Sequence, residues 1–157
     1  MRIYLMQHGE PVPKEEDPDR PLSEQGKRDV GRMSGFLGKS GLKVQEALHS
    51  GKTRSRQTAE IMVSQLNPEI KAQERAGLSP LDDVKEIAGQ IKDVDKDLLI
   101  AGHLPHLGKL ASLLITGDEE VPVVSFQQGG VVCLERDEKG HWSVAWMVVP
   151  EIIKDSV

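Results

Sequence analysis

The chain has little of what marks several large classes of protein. It carries one cysteine in 157 residues, so no disulfide can close within it. Cys133 lies in the apolar run "VVCLE", where it reads as a small buried hydrophobe. A reducing, cytoplasmic setting is the expectation. Aromatic residues are only 3% of the chain: two Trp, one Tyr and two Phe. The core must therefore be built from Leu, Ile, Val and Ala, and the stacking platforms of single-strand nucleic-acid binders are missing. Positive charge is short as well, with 20 Lys and Arg against 25 Asp and Glu for a formal net charge of -5. Without a basic cluster there is nothing to hold a phosphate backbone. No apolar run approaches the roughly 20 residues that a membrane-crossing helix needs, and "MRIYLM" is too short for a signal peptide.

What is present is a regular alternation. Residues 2–7, "RIYLMQ", read as a buried strand that stops at Gly9. The Pro- and acid-rich stretch "EPVPKEEDPDRP" reads as a solvated loop. Ser23 can cap a helix running to about Gly38, with Val30, Met33, Phe36 and Leu37 at helical spacing. "KVQEALH" suggests a second strand and "TRSRQTAEIMVSQL" a second helix halted by Asn67 and Pro68. "EIKAQ" suggests a brief edge strand, and "PLDDVKEIAGQI" a helix opened by Pro80 and two aspartates. "KDLLIAGH" is another apolar strand, followed by the helical "LPHLGKLASLLI". The tail "GGVVCLERDEKGHWSVAWMVV" reads as a hairpin around "DEKG". The length suits one domain over residues 1–157, and the alternation predicts a three-layer α/β/α sandwich with a mostly parallel central sheet.

In such sheets ligands gather beyond the carboxyl ends of the strands. Two of the predicted strands end there in a histidine, His8 and His103. Between them in the chain, "HSGKTRSRQTAE" passes from strand to helix with Arg54 in the first turn, where the helix dipole disfavours a cation. An arginine in that position is accounted for if it reaches for a bound anion beside free helix-end N–H groups. One histidine nucleophile plus donors for an oxyanion make a phosphoryl-transfer set. In this scheme a neutral His8 attacks phosphorus while Arg54 and a cationic His103 balance the oxygens. Ser50 can lend a hydroxyl or an N–H, and Gly9 a tight turn beside the phosphate. His49, His106 and His141 are given no role. A metal pair at His103 and His106 lacks completing ligands, so no metal and no cofactor is expected.

Together, "LMQHGE", "SGKTRSRQTAE" and "IAGHLPHL" resemble the three signatures of the histidine phosphatase superfamily, in particular its SixA-type phosphohistidine phosphatase branch. The similarity runs from Met1 to about Met147. It implies a phosphoglycerate mutase-like fold, with His8 as the phosphorylated nucleophile and Arg54 and His103 as pocket residues. Gln7, Gly9, Ser50 and Leu104 would be substrate contacts. One position departs from the pattern: members usually read Arg-His-Gly, and this chain reads Gln7-His8-Gly9. A glutamine still donates an N–H but brings no charge, a loss of about a hundredfold in rate at ~1.4 kcal/mol per tenfold.

Phosphoester members of the superfamily carry a glutamate that protonates the leaving alkoxide. The corresponding segment, "ERAGLSPLDDV", offers only Glu74, Asp82 and Asp83 as candidates. A phosphoramidate expels an imidazole far more easily. With short connections and no lid insertion, the pocket should be open, and the favoured substrate is phosphohistidine on a partner protein. The alternatives are a catalytically weak phosphohistidine-binding module and a small-molecule phosphomonoesterase.

Overall fold

The computed structural model describes residues 1–154. Six strands form one sheet in the order β3-β2-β4-β1-β5-β6. These are β1 (Arg2–Gln7), β2 (Glu46–His49), β3 (Gln73–Glu74), β4 (Leu98–Gly102), β5 (Val131–Arg136) and β6 (Trp142–Val148). Between them run α1 (Glu24–Lys39), α2 (Thr53–Leu66), α3 (Val84–Lys92) and α4 (His106–Thr116), and a 3-10 turn at Pro150–Ile152 follows β6. The pairs β1–β4, β2–β4 and β2–β3 are parallel, while β1–β5 and β5–β6 are antiparallel. The four strands that alternate with helices thus form the parallel part, and the predicted hairpin is the antiparallel edge.

Strand alternation in β1 divides the core. Tyr4 and Met6 face one side with Val30 and Met33 of α1 and Met62 and Val63 of α2. Ile3 and Leu5 face the other with Ile87 and Ile91 of α3 and Leu107 and Leu110 of α4. Central β4, "LLIAG", is buried at every residue, as a strand covered on both faces must be, whereas the edge strand β6 is largely exposed.

Local chemistry explains where elements begin and where they depart from the sequence reading. Ser23 caps α1 by accepting from Gly26 N–H at 3.0 Å. Helix α3 starts at Val84, not at Pro80, because Asp83 takes the cap position and accepts from Lys85 N–H at 2.9 Å. Strand β3 lies at Gln73–Glu74 and overlaps "EIKAQ" at Gln73 alone, since Asn67 first folds the chain back, its Nδ2 donating to Val44 O at 2.9 Å. Strand β2 is shorter than "KVQEALH". Phe36, placed inward by periodicity, is 46% exposed; it sits at the edge of the α1 stripe that Val30, Met33 and Leu37 bury.

Candidate phosphate-binding site

Strands β1 and β4 are neighbours with Gln7 opposite Gly102, so the next residues, His8 and His103, emerge side by side at their carboxyl ends. His8 N–H continues the ladder to Gly102 O at 3.0 Å. The two imidazole centroids are 5.1 Å apart at 57°. Both rings are buried, at 7% and 1% exposure.

Each ring is oriented through one nitrogen. His8 Nδ1 lies 2.7 Å from Gly9 O. A carbonyl only accepts, so Nδ1 carries the proton and the Nε2 lone pair is left for attack. His103 Nε2 lies 2.7 Å from Ser50 Oγ. Lys52 N–H donates to that same oxygen at 3.3 Å; the hydroxyl keeps one proton of its own to donate, and we assign that proton to Nε2. His103 then carries its own proton on Nδ1, a buried atom without a hydrogen-bond partner. Ser50 is itself fixed, since its N–H donates to Ser55 Oγ at 3.1 Å and Ser55 in turn donates to Ala101 O at 2.6 Å.

Arg54 enters from the first turn of α2. Lys52 is the N-cap of that helix and gives it no side-chain cap, and the first turn holds no acid; Ser55 and Arg56 N–H turn back to Lys52 O at 3.0 and 2.9 Å, so the N–H groups left open are those of Thr53 and Arg54. Arg54 Nε is buried and unpartnered, an arrangement that destabilises the empty pocket. The Arg54 carbonyl accepts from Thr58 Oγ1 at 2.7 Å, and Thr58 Oγ1 accepts from Gly9 N–H at 3.1 Å. Helix α2 is thereby tied to the residue that follows His8.

Burial, followed by nearby cations, sets the protonation of the site. Desolvation lowers the pKa of His8, opposed by the hydrogen bond to Gly9 and aided by the charges of Arg54 and Arg20. His103 is pushed down to about 3, by burial first and then by His8, Arg54 and Lys52. In the empty pocket His103 is therefore neutral, because its ring is dry and its charged neighbours are positive; the cationic form expected from the sequence belongs to the phosphoryl-bound state. Arg54 is lowered by burial and by Arg20.

The remaining predicted residues fall in different places. Gln7 ends β1, and its carbonyl accepts from Gly129 N–H at 2.9 Å. Gly9 has no positive φ; a Cβ there would press into Val30 Cγ2 at 2.8 Å and Gly26 O at 3.1 Å. Close packing of α1, not a tight turn, therefore requires glycine at that position. Leu104 is 42% exposed beside His103. Glu74 reaches the pocket rim: Gly51, at φ +91°, makes the turn after Ser50, and a Cβ on it would overlap the Glu74 carboxylate. Asp82 Oδ2 accepts from Ser79 N–H at 2.9 Å, and Asp83 caps α3.

Three residues were not anticipated. His49 Nδ1 accepts from Gly51 N–H at 3.0 Å and so shapes the Ser50 turn. His106, three residues after His103, is buried, and neither ring nitrogen has a well-formed hydrogen bond among the described residues, although the Gly77 backbone lies near enough to favour its proton. Arg20 acts electrostatically on both His8 and Arg54.

A model of the histidine phosphatase superfamily (branch 1) matches residues 3–82, which include His8 and Arg54. The chain belongs to the histidine phosphatase superfamily. An uncharacterized protein of Picosynechococcus is 30% identical over 125 residues, 74% of each chain. The structure of the protein histidine phosphatase SixA complexed with tungstate superposes with a TM-score of 0.85 at 26% identity, covering 98% of this chain and 100% of that one. Phosphoglycerate mutase from Bacillus anthracis shares the fold at a TM-score of 0.71 and 13% identity, over 92% of this chain and 91% of that one. Membership in the histidine phosphatase superfamily, of SixA type, gives the coarse chemistry, which is phosphatase-type phosphoryl transfer.

Proposed function

We propose that the chain, as a single histidine phosphatase domain over residues 1–157, is a metal-independent phosphatase that removes the phosphoryl group from phosphohistidine on a partner protein. One observation carries this reading. The His8 ring, its Nε2 free, lies 5.1 Å centroid to centroid from His103 and feels the charge of Arg54, and two buried atoms of those neighbours, Arg54 Nε and His103 Nδ1, have no partner among the described residues. Buried donors left unmatched are explained by a ligand that supplies acceptors, and a tetrahedral oxyanion does so.

In the first step His8 Nε2 attacks phosphorus in line, a new N–P bond forms on His8, and the N–P bond to the substrate imidazole breaks. The leaving imidazole takes its proton from solvent. Arg54, the open N-terminus of α2 and His103 Nδ1–H hold the non-bridging oxygens, with Gln7 contributing a neutral donor. Water then attacks the phosphorylated His8 and releases inorganic phosphate, returning Nε2 to its free state. The dianion raises the proton affinity of His103 when it binds, so the donor strengthens as charge arrives.

Trapping by quench into alkaline denaturant, in which an N–P bond survives, tests the enzyme reading. Wild-type protein mixed with a phosphohistidine peptide should carry an acid-labile phosphate on His8. Binding of the peptide without label or turnover would make the chain a binding module instead.

A second reading is favoured by the placement of Glu74 at the rim, where it could protonate an alkoxide of a small phosphoester. For phosphohistidine, Glu74→Gln should change kcat/KM by less than about threefold, because imidazole leaves without a protein acid. A tenfold or larger loss confined to phosphoesters would favour the small-molecule substrate.

A further inference from the structure

The loop between β1 and α1 folds back on itself. Val12 N–H donates to Pro21 O at 2.7 Å and Ser23 N–H to Glu10 O at 2.9 Å, while Pro11 and Leu22 form an antiparallel bridge. Leu22 N–H also donates to Gln57 Oε1 at 2.7 Å. Gln57 lies three residues after Arg54, on the same side of α2. The returning limb therefore sets Arg20 against the segment that leaves His8 and beside the helix turn that carries Arg54.

The surroundings of Arg20 are unusual for a cation in an acidic loop. Glu15, Glu16, Asp17 and Asp19 share the loop, yet the one acceptor of the Arg20 side chain among the described residues is Val12 O, at 3.3 Å from Nε. Its charge is felt at Arg54 and at His8, both of which it makes less willing to carry positive charge. Arg20 is also the single non-glycine among the described residues with a positive φ, +48°. Its backbone is held there by Arg20 N–H on Asp17 O at 3.0 Å. A half-buried guanidinium with no carboxylate partner among the described residues, near enough to a second guanidinium to disfavour its charge, is repelled until an anion lies between them.

We propose that Arg20 binds the phosphoryl oxygens, supplying from the β1–α1 loop the positive charge that Gln7 does not bring at the strand end. This rests on the phosphatase reading above and deepens it, for it makes the loop part of the pocket.

Four variants test it: Arg20→Ala, Arg20→Gly, Arg20→Lys and the double variant Arg20→Ala with Gln7→Arg. The measurements are kcat/KM on a phosphohistidine peptide, inhibition by tungstate and the melting temperature. Arg20→Ala and Arg20→Gly should each weaken tungstate inhibition and kcat/KM by about tenfold or more, the effect of one lost charge-assisted contact. Glycine suits φ +48°, so Arg20→Gly should hold or raise the melting temperature while binding falls. Arg20→Lys should keep part of the affinity, and Gln7→Arg should restore most of what Arg20→Ala lost. Tungstate inhibition unchanged within about twofold in Arg20→Gly, or no recovery in the double variant, would overturn the proposal. Should the wild type form no phosphoenzyme, the phosphatase reading fails by itself, while tungstate binding to the same four proteins still decides the role of Arg20.

Discussion

His8 and His103 are the same residue at equivalent ends of two adjacent parallel strands, and their partners give them opposite tasks. A carbonyl, Gly9 O, takes the Nδ1 proton of His8 and leaves Nε2 as a lone pair. A hydroxyl, Ser50 Oγ, meets Nε2 of His103 and leaves Nδ1 as a donor. On the proposed function, one ring is prepared to attack and the other to hold. The difference resides wholly in the hydrogen-bond partner, one supplied by the following residue and the other by a turn 53 positions earlier in the chain.

The sharpest way to break this comparison is to delete each ring. His8→Ala should abolish turnover, a loss of at least about a thousandfold, because no other group can accept the phosphoryl. His103→Ala should lose about a hundredfold, the usual effect of removing one oxyanion donor, and should still form phosphoenzyme slowly. Single-turnover kinetics with labelled substrate checks both. Equal losses would mean that the two histidines are not divided as described.

A smaller effect is expected from Ser50→Ala, which frees the His103 ring to take the other tautomer. One neutral hydrogen bond corresponds to about tenfold in kcat/KM, and Ser50→Thr, which keeps the hydroxyl, should recover it. Ring nitrogen chemical shifts should report the change at His103 and none at His8.

A different effect is expected on stability in acid. His8, His49, His103 and His106 all have lowered pKa values, with burial the leading cause. The unfolded chain takes up protons near its ordinary value of about 6.5 that the folded chain refuses. Stability is therefore fully present above about pH 6.5 and falls as pH drops toward the folded values, about 3 for His103. At pH 5 His103 alone removes about 2 kcal/mol. Thermal melts between pH 7 and 5 should show the fall, and tungstate should shrink it by raising the folded pKa. A flat profile would contradict the neutral pair.

The two tasks were only half legible in the sequence. That His8 and His103 share a rim followed from where two apolar runs stop. That Arg54 joins them followed from a cation placed against a helix dipole. The tautomers could not be read, because they depend on Ser50 and on a backbone carbonyl brought close only by the sheet register. Arg20 was hidden for a related reason: it lies in a loop without periodicity, where a guanidinium among carboxylates reads as solvated. Elements built on long apolar runs, such as β1, β4 and α2, kept their predicted places. The ends of β2, β3 and α3 moved, because single polar side chains such as Asn67 and Asp83 decide them and leave no periodic trace.

Cys133 lies in the middle of β5, fully buried, with its thiol pushed up to about 11 by desolvation. A thiol so seldom ionised reacts slowly with alkylating probes and peroxide. The native cysteine can therefore stay in place while a second is introduced at the exposed Leu104, on the lip of the pocket. A fluorophore attached at that new position would be the sole label, and its emission would report an anion such as tungstate entering and leaving the pocket.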